Sequence, residues 1–300
     1  MVSGIGARCR VALLCAALVA VASGCSGSDD GADAFVTDAL EQVRFTDEPP
    51  AAVTVVDAER ANELLAEDER RFAVVDQLGT PLLRDFAVPD HRYGMEPENA
   101  ELAVTVGRDS YHGFWAGEFD AAAVASDLAD DGYTEREADG GPVWEAPDVE
   151  LTLRVTDERI SWGQGGDFDP SVFTAGRPLT EEPRYPALSE CLGDVYRADF
   201  AEGFPGDPMT SYAIGQVAES PEETSEVLCV TNDSEATAEQ AAQRLRQEIE
   251  GGGDRFRGSE VTLLEGDVPG VRVTVPQHGD QLPGRLLSQD IDLVTALLRV

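Results

Sequence analysis

Apolar residues recur along this chain in two rhythms, every second position in short runs and every third or fourth in longer ones. AAVTVVD (51–57) reads as a strand, and Asp57 then caps a helix through AERANELLAEDERR (58–71). A Pro- and Gly-punctuated stretch follows to Glu98. ELAVTVG (101–107) reads as a strand, and SYHGFWAGEF (110–119) as extended and aromatic-rich. Asp120 caps AAAVASDLADDG, a helix that Gly132 ends. PVWEA and VELTLRVTDERISWG read as strands, the last two forming a hairpin that turns near Asp157-Glu158.

The second half repeats this order. TSYAIGQVAE and SEVLCVTN are strands, Ser234 caps EATAEQAAQRLRQEIEGGG, and EVTLLEGD with GVRVTVP makes a hairpin. Ala238, Ala241, Leu245 and Ile249 fall on one helical face, and SQDIDLVTALLRV closes the chain as an amphipathic helix. The expected fold is α+β, with two related small domains, each an antiparallel sheet carrying a helix on one face. The first spans 35–178 and the second 184–300, with the Pro-rich stretch from Arg177 to Pro186 as boundary.

Residues 1–24 have the form of a secretory leader. Arg8 and Arg10 precede twelve apolar residues, Val11 to Ala22, a run shorter than the roughly 20 residues a membrane-spanning helix needs. Ala22-Ser23-Gly24-Cys25 resembles the lipobox of bacterial lipoproteins. The resemblance implies a diacylglyceryl group on the Cys25 thiol, cleavage before it, and a palmitate-type anchor on the extracytoplasmic face of the cell membrane. Two acyl chains hold where one is marginal, because each buried methylene contributes roughly 0.8 kcal/mol. SGSDDGADA then supplies a flexible tether over 25–34.

Charge narrows the function. Asp and Glu number 58 against 22 basic residues, all of them Arg, for a formal net charge of −36. Nucleic acid is excluded as a partner, because phosphate neutralisation needs a basic surface. Without lysine there is no Walker-A phosphate site, no Ser-x-x-Lys acylation and no Schiff-base chemistry. Of five cysteines, Cys9 and Cys15 leave with the leader and Cys25 takes the lipid. Cys191 and Cys229 remain, and an exported chain with two thiols is expected to join them in a disulfide.

Catalytic motifs are sparse. There is no G-x-S-x-G, and His91, His112 and His278 stand apart from any H-x-H or HExxH pattern. The acidic stretches SDDGADA, DFDP and DID do not match a calcium loop. No metal site and no cofactor is expected. Tyr111, His112, Phe114 and Trp115 crowd one short stretch, with Tyr111 and Trp115 on one strand face and His112 and Phe114 on the other. One of those faces is a candidate ligand or partner surface.

PPAAVTVVDAERANELL, YGMEPENAELAVTVG and GEFDAAAVASDLADDGYTEREADGGPVWEA resemble segments of uncharacterised lipoproteins of high-GC Gram-positive bacteria. That resemblance covers most of residues 45–165 and implies a cell-surface lipoprotein, with no activity attached. The expected function is non-enzymatic binding of an envelope protein, another envelope component or a small ligand between the two domains. The alternatives are a carrier of lipid or another hydrophobic ligand, and an envelope hydrolase with an unrecognised site.

Overall fold

Helix caps, alternating strands and glycine stops build the elements largely where the sequence places them. The computed structural model describes residues 32–46, 48–72, 95–107, 111–146, 151–164, 173, 175–203, 209–264 and 266–297. The leader, Cys25, most of the tether, His91, DFDP and residues 204–208 lie outside the described residues.

The first half contributes β2 (Ala52–Asp57), β3 (Ala100–Val106), β4 (His112–Gly117), β5 (Thr134–Ala138), β6 (Gly141–Ala146), β7 (Leu151–Val155) and β8 (Arg159–Gln164). The second contributes β10 (Arg197–Glu202), β11 (Met209–Ala218), β12 (Thr224–Asn232), β13 (Glu260–Leu264) and β14 (Gly270–Pro276). All twelve join one antiparallel sheet in the order β13-β14-β12-β11-β10-β2-β3-β4-β8-β7-β6-β5. The halves meet edge to edge at β2 and β10, where Val55 faces Ala198 and Val53 faces Phe200. The fold is α+β.

Both halves follow one plan. A hairpin (β3–β4 or β11–β12) leads into a helix, and a later hairpin returns its second strand beside the first, β8 beside β4 and β14 beside β12. In the first half the strand that feeds the helix is β4, so β4 and β12 correspond. The aromatic stretch around Trp115 is that strand. Among the described residues the β5–β6 hairpin has no counterpart in the second half.

The three predicted caps form. In α2 (Ala58–Glu67) the Asp57 carboxylate accepts from the Arg60 N–H at 2.9 Å. In α4 (Ala121–Asp130) Asp120 accepts from Ala123 N–H at 2.9 Å. In α6 (Glu235–Gly252) Ser234 and Thr237 bond reciprocally as a capping box. The chain leaves α6 through Gly253 at φ +60°, a backbone state in which a side chain is strained.

Strand alternation sends side chains to both faces. On one face Val53, Val55, Val104, Phe114, Val227 and Cys229 lie under α1 (Ala32–Glu41) and α5 (Arg184–Leu192). On the other, α2, α4 and the short α3 (Glu69–Phe72) cover Val56, Ala103, Trp115, Ile160 and Trp162. Further along that face α6 and α8 (Asp292–Leu297) cover Ile214, Leu228, Val230 and the β14 valines. The molecule is thus three-layered, and each fully buried Val, Leu or Phe contributes roughly 1.5–3 kcal/mol. Gly113 is required where β3, β4 and β8 meet, because a Cβ there would strike the Val104 carbonyl and the Trp162 indole.

Two elements depart from the sequence reading. The Pro-rich stretch expected as a boundary is ordered. β9 (Arg177–Pro178) pairs with β1 (Arg44–Phe45), and α5 runs through Pro186. Proline is tolerated in a first helical turn, where the N–H lacks an intrahelical partner. The closing helix begins later than SQDIDLVTALLRV places it: α8 starts at Asp292, after a short α7 (Arg285–Ser288), and Asp290 between them pairs back to Arg285 at 2.8 Å. The expected disulfide is present, joining Cys191 on α5 to Cys229 on β12 with Cα atoms 6.1 Å apart. It closes a separation of 38 residues, worth about 4 kcal/mol on the chain-entropy estimate.

Candidate functional site

The β13–β14 hairpin carries a hollow on each face of the sheet. On the α5 face, Pro186, Ala187, Glu190, Leu264, Asp267 and Arg272 line a hollow of about 410 Å³. On the α6 face, Glu235, Ala238, Glu239, Leu263 and Pro269 line one of about 290 Å³. Leu264 and Gly266 belong to both. Geometry explains the pair. α5 is pinned over β12 by the disulfide, and α6 starts at Glu235 on the rim of the smaller hollow.

Arg272 sits on the floor of the larger hollow. It faces Cys229 on one side and Thr262 on the other. One of its terminal nitrogens reaches the Leu192 carbonyl at 3.5 Å, and its buried Nε has no hydrogen-bond partner. Glu190, Asp267, Glu235 and Glu239 ring the two openings and are exposed. Among the described residues they form no salt bridge. β13 itself is the last strand of the sheet, and Leu263 on it is 38% exposed.

The seam between the halves is closed by the β2–β10 pairing. At its end lies a hollow of about 310 Å³, lined by Asp57, Arg60, Asp194, Tyr196, Ala218 and Glu219. Arg60 is already engaged there, donating to the Ala218 carbonyl at 3.3 Å and to Glu63 at 2.9 Å. Burial raises the Asp57 carboxyl above its ordinary value, opposed by the Arg60 N–H.

The aromatic stretch resolves differently from its expectation. Phe114 and Trp115 are buried, each on its own face of β4, so they are core and not surface. A central strand with helices over both faces leaves neither side chain exposed. His112 is half-buried against Phe173, ring centroids 5.5 Å apart, and burial lowers its pKa. Tyr111 alone of the four reaches the surface, at 36%. His278 contacts the Arg257 carbonyl through Nε2 at 3.0 Å. Among the described residues no group of three His, Cys, Asp or Glu is placed to hold a metal.

A polar cluster that the sequence did not announce lies beneath α7. Glu226, fully buried on β12, accepts from Gln277 at 3.2 Å and from the Leu286 N–H at 3.2 Å. Arg285 lies 3.8 Å away and pairs with Asp290, which also meets Arg255. Desolvation pushes the Glu226 carboxyl up to about 7, against the pull of those hydrogen bonds and of Arg285. Glu226 and Arg285 are closed to solvent, Arg255 lies at the cluster's exposed rim, and the cluster reads as structural.

The hollows were not singled out in sequence. Their faint signal is VTLLEGDVPG, where two successive Leu place apolar groups on both faces of one strand. Such a strand is normally buried on both sides; this one is at an edge.

No family model and no curated protein matches the chain. Two solved structures of TP0453 resemble it. Crystal form IV is 10% identical with a TM-score of 0.45, covering 78% of this chain and 92% of that one. Crystal form I is 11% identical with a TM-score of 0.47, covering 86% and 97%.

Proposed function

We propose that this chain is a lipid-anchored binding protein of the cell envelope, without catalytic chemistry, that holds its ligand on the β13–β14 hairpin. The observation that carries the reading is the pairing of the two hollows. Each is close to the size range of ligand sites, and Leu264 and Gly266 line both, so one ligand can occupy both. Exposed Leu263 and the uncommitted Arg272 Nε give that ligand apolar and polar contacts. Cys25 supplies the anchor, and the tether sets the site off the lipid surface. No helix among the described residues is long and apolar enough to cross a membrane.

The test places a photo-crosslinking residue at Ala187 in the larger hollow, or at Glu137 on the opposite edge strand, in the membrane-anchored chain. Adducts at Ala187 and none at Glu137 are expected. Equal labelling, or none at Ala187, overturns the site. In the same preparation Cys25→Ala moves the chain from the membrane fraction to the medium; retention on the membrane overturns the anchor.

A further inference from the structure

We infer that the hairpin takes an extended basic segment of a partner protein, which adds to β13 as a further strand. This rests on the reading of the paired hollows as a ligand site and names the ligand's chemistry. The first support is topological. Among the described residues β13 ends the sheet and pairs with β14; at its outer edge the Val261 carbonyl accepts from Arg246 at 3.2 Å, which leaves the Leu263 end of the strand for an added one. Successive side chains of an added strand point to opposite faces of the sheet. One set drops into the hollow on the α5 face, the other into the hollow on the α6 face. In strand addition, main-chain hydrogen bonds provide affinity and alternate pockets provide selectivity.

The second support is charge. Four exposed carboxylates ring the openings, Glu190 and Asp267 on one face and Glu235 and Glu239 on the other, against Arg272 in the larger hollow and Arg246 on the β13 edge. Glu235 and Glu239 stand four apart on α6, hence on one side of the helix, with Ala238 and Leu263 beneath. A lysine stem laid on Leu263 brings its ammonium to those carboxylates, the apolar stem buried and the charge still wet. A second copy of this chain offers the opposite complement. It carries the same acidic rim and a net charge of −36, so edge-to-edge pairing of two copies brings like charges together.

The probe is a labelled, end-blocked octapeptide of alternating Lys and Val, titrated into the full chain with its disulfide formed and followed by fluorescence anisotropy. Saturable binding is expected. N-methylation of alternate residues on one edge of the peptide removes its strand hydrogen bonds and keeps its charge, and should weaken binding at least tenfold. The double variant Glu235→Gln, Glu239→Gln should weaken it at least fivefold, while Glu135→Gln, Glu137→Gln on the far edge leaves it unchanged. No binding, or equal binding of the N-methylated peptide, overturns the inference. So does sedimentation showing a dimer that the peptide does not dissolve and that Leu263→Arg does. If Ala187 crosslinks while the peptide fails, the site stands and only the basic strand falls. If both fail, the site falls as well.

Discussion

The two halves lay a capped helix on the same face of one sheet and fill the space beneath in different ways. Under α2 and α4 lie Phe72, Trp115, Phe119, Trp144 and Trp162, and the chain's three tryptophans are all among them. Under α6, α7 and α8 lie mainly small and aliphatic residues beside the ring of Phe256, with Ala238, Ala241 and Ala242 letting the helix approach the β14 valines. There a charged cluster around Glu226 replaces the aromatic bulk. The sheet edges diverge too. β5 is blunted by Glu135, Arg136 and Glu137, with Arg136 paired to Glu145 at 2.6 Å, whereas β13 exposes Leu263. Charged residues on an edge oppose added strands. One topology therefore serves an aromatic half with a charged edge and a half that keeps charged groups inside and leaves part of its edge open.

The largest effect should come from breaking the aromatic half. Trp162 is fully buried against Gly113, and its truncation leaves a cavity that the β3–β4–β8 register cannot collapse. Trp162→Ala should cost about 4 kcal/mol in urea unfolding followed by circular dichroism. Leu245→Ala under α6, also fully buried, should cost about 3 kcal/mol. A larger loss at Leu245 than at Trp162 would show that the aromatic half is not the better-packed one.

The polar half should differ in its response to pH. The Glu226 carboxyl is raised from 4.5 to about 7, first by desolvation, then opposed by Leu286 N–H, Gln277 and Arg285, with Asp290 adding to the rise. The folded state then holds a proton that the unfolded chain has lost, so this group's contribution falls as pH rises. Its stabilisation is full below about 4.5 and gone above about 7, a change of roughly 3 kcal/mol. Thr224 bonds to Gln277, and Tyr196 hydrogen-bonds Gln216, the strand partner of Glu226, while the buried Arg285 Nε 3.8 Å from Glu226 lacks a hydrogen-bond partner. Glu226→Gln should flatten the slope between pH 4.5 and 7 relative to the parent chain. Parallel slopes for the two proteins would mean that Glu226 ionises as an ordinary carboxylate.

The rhythm of the elements was legible in the sequence because caps and alternation are local. Asp57, Asp120 and Ser234 each announce a helix within four residues. The joining of the halves was not legible, since a strand's alternation is the same whichever neighbour pairs with it, and β10 meets β2 from far along the chain. α5 was masked by Pro183 and Pro186, read as breakers although they fall at a helix start. Glu226 in SEVLCVTN reads as an outward-facing position, and only Gln277 and Arg285, distant in sequence, turn it inward. The two hollows depend on α5 and the β13–β14 hairpin coming together, which no local pattern encodes. Aromatic crowding at Tyr111 to Trp115 marked a central strand rather than a surface, because β4 has a neighbour on each side and helices over both faces.

The smallest effect sharpens the comparison most. Removing a cap, by Asp120→Ala in the first half or Ser234→Ala in the second, should cost about 1 kcal/mol each. All three tryptophans report from the first-half core, so their fluorescence sees one half while circular dichroism sees both. The β2–β10 pairing runs through the middle of the sheet, and α1, α5 and both central strands share one core. Unfolding one half would expose that shared surface, so the two should melt together. Ser234→Ala is then expected to lower the tryptophan-monitored urea midpoint by as much as Asp120→Ala does. If Ser234→Ala leaves the tryptophan transition in place and moves only the circular dichroism, the halves unfold separately and the continuous sheet is a contact between two independent units.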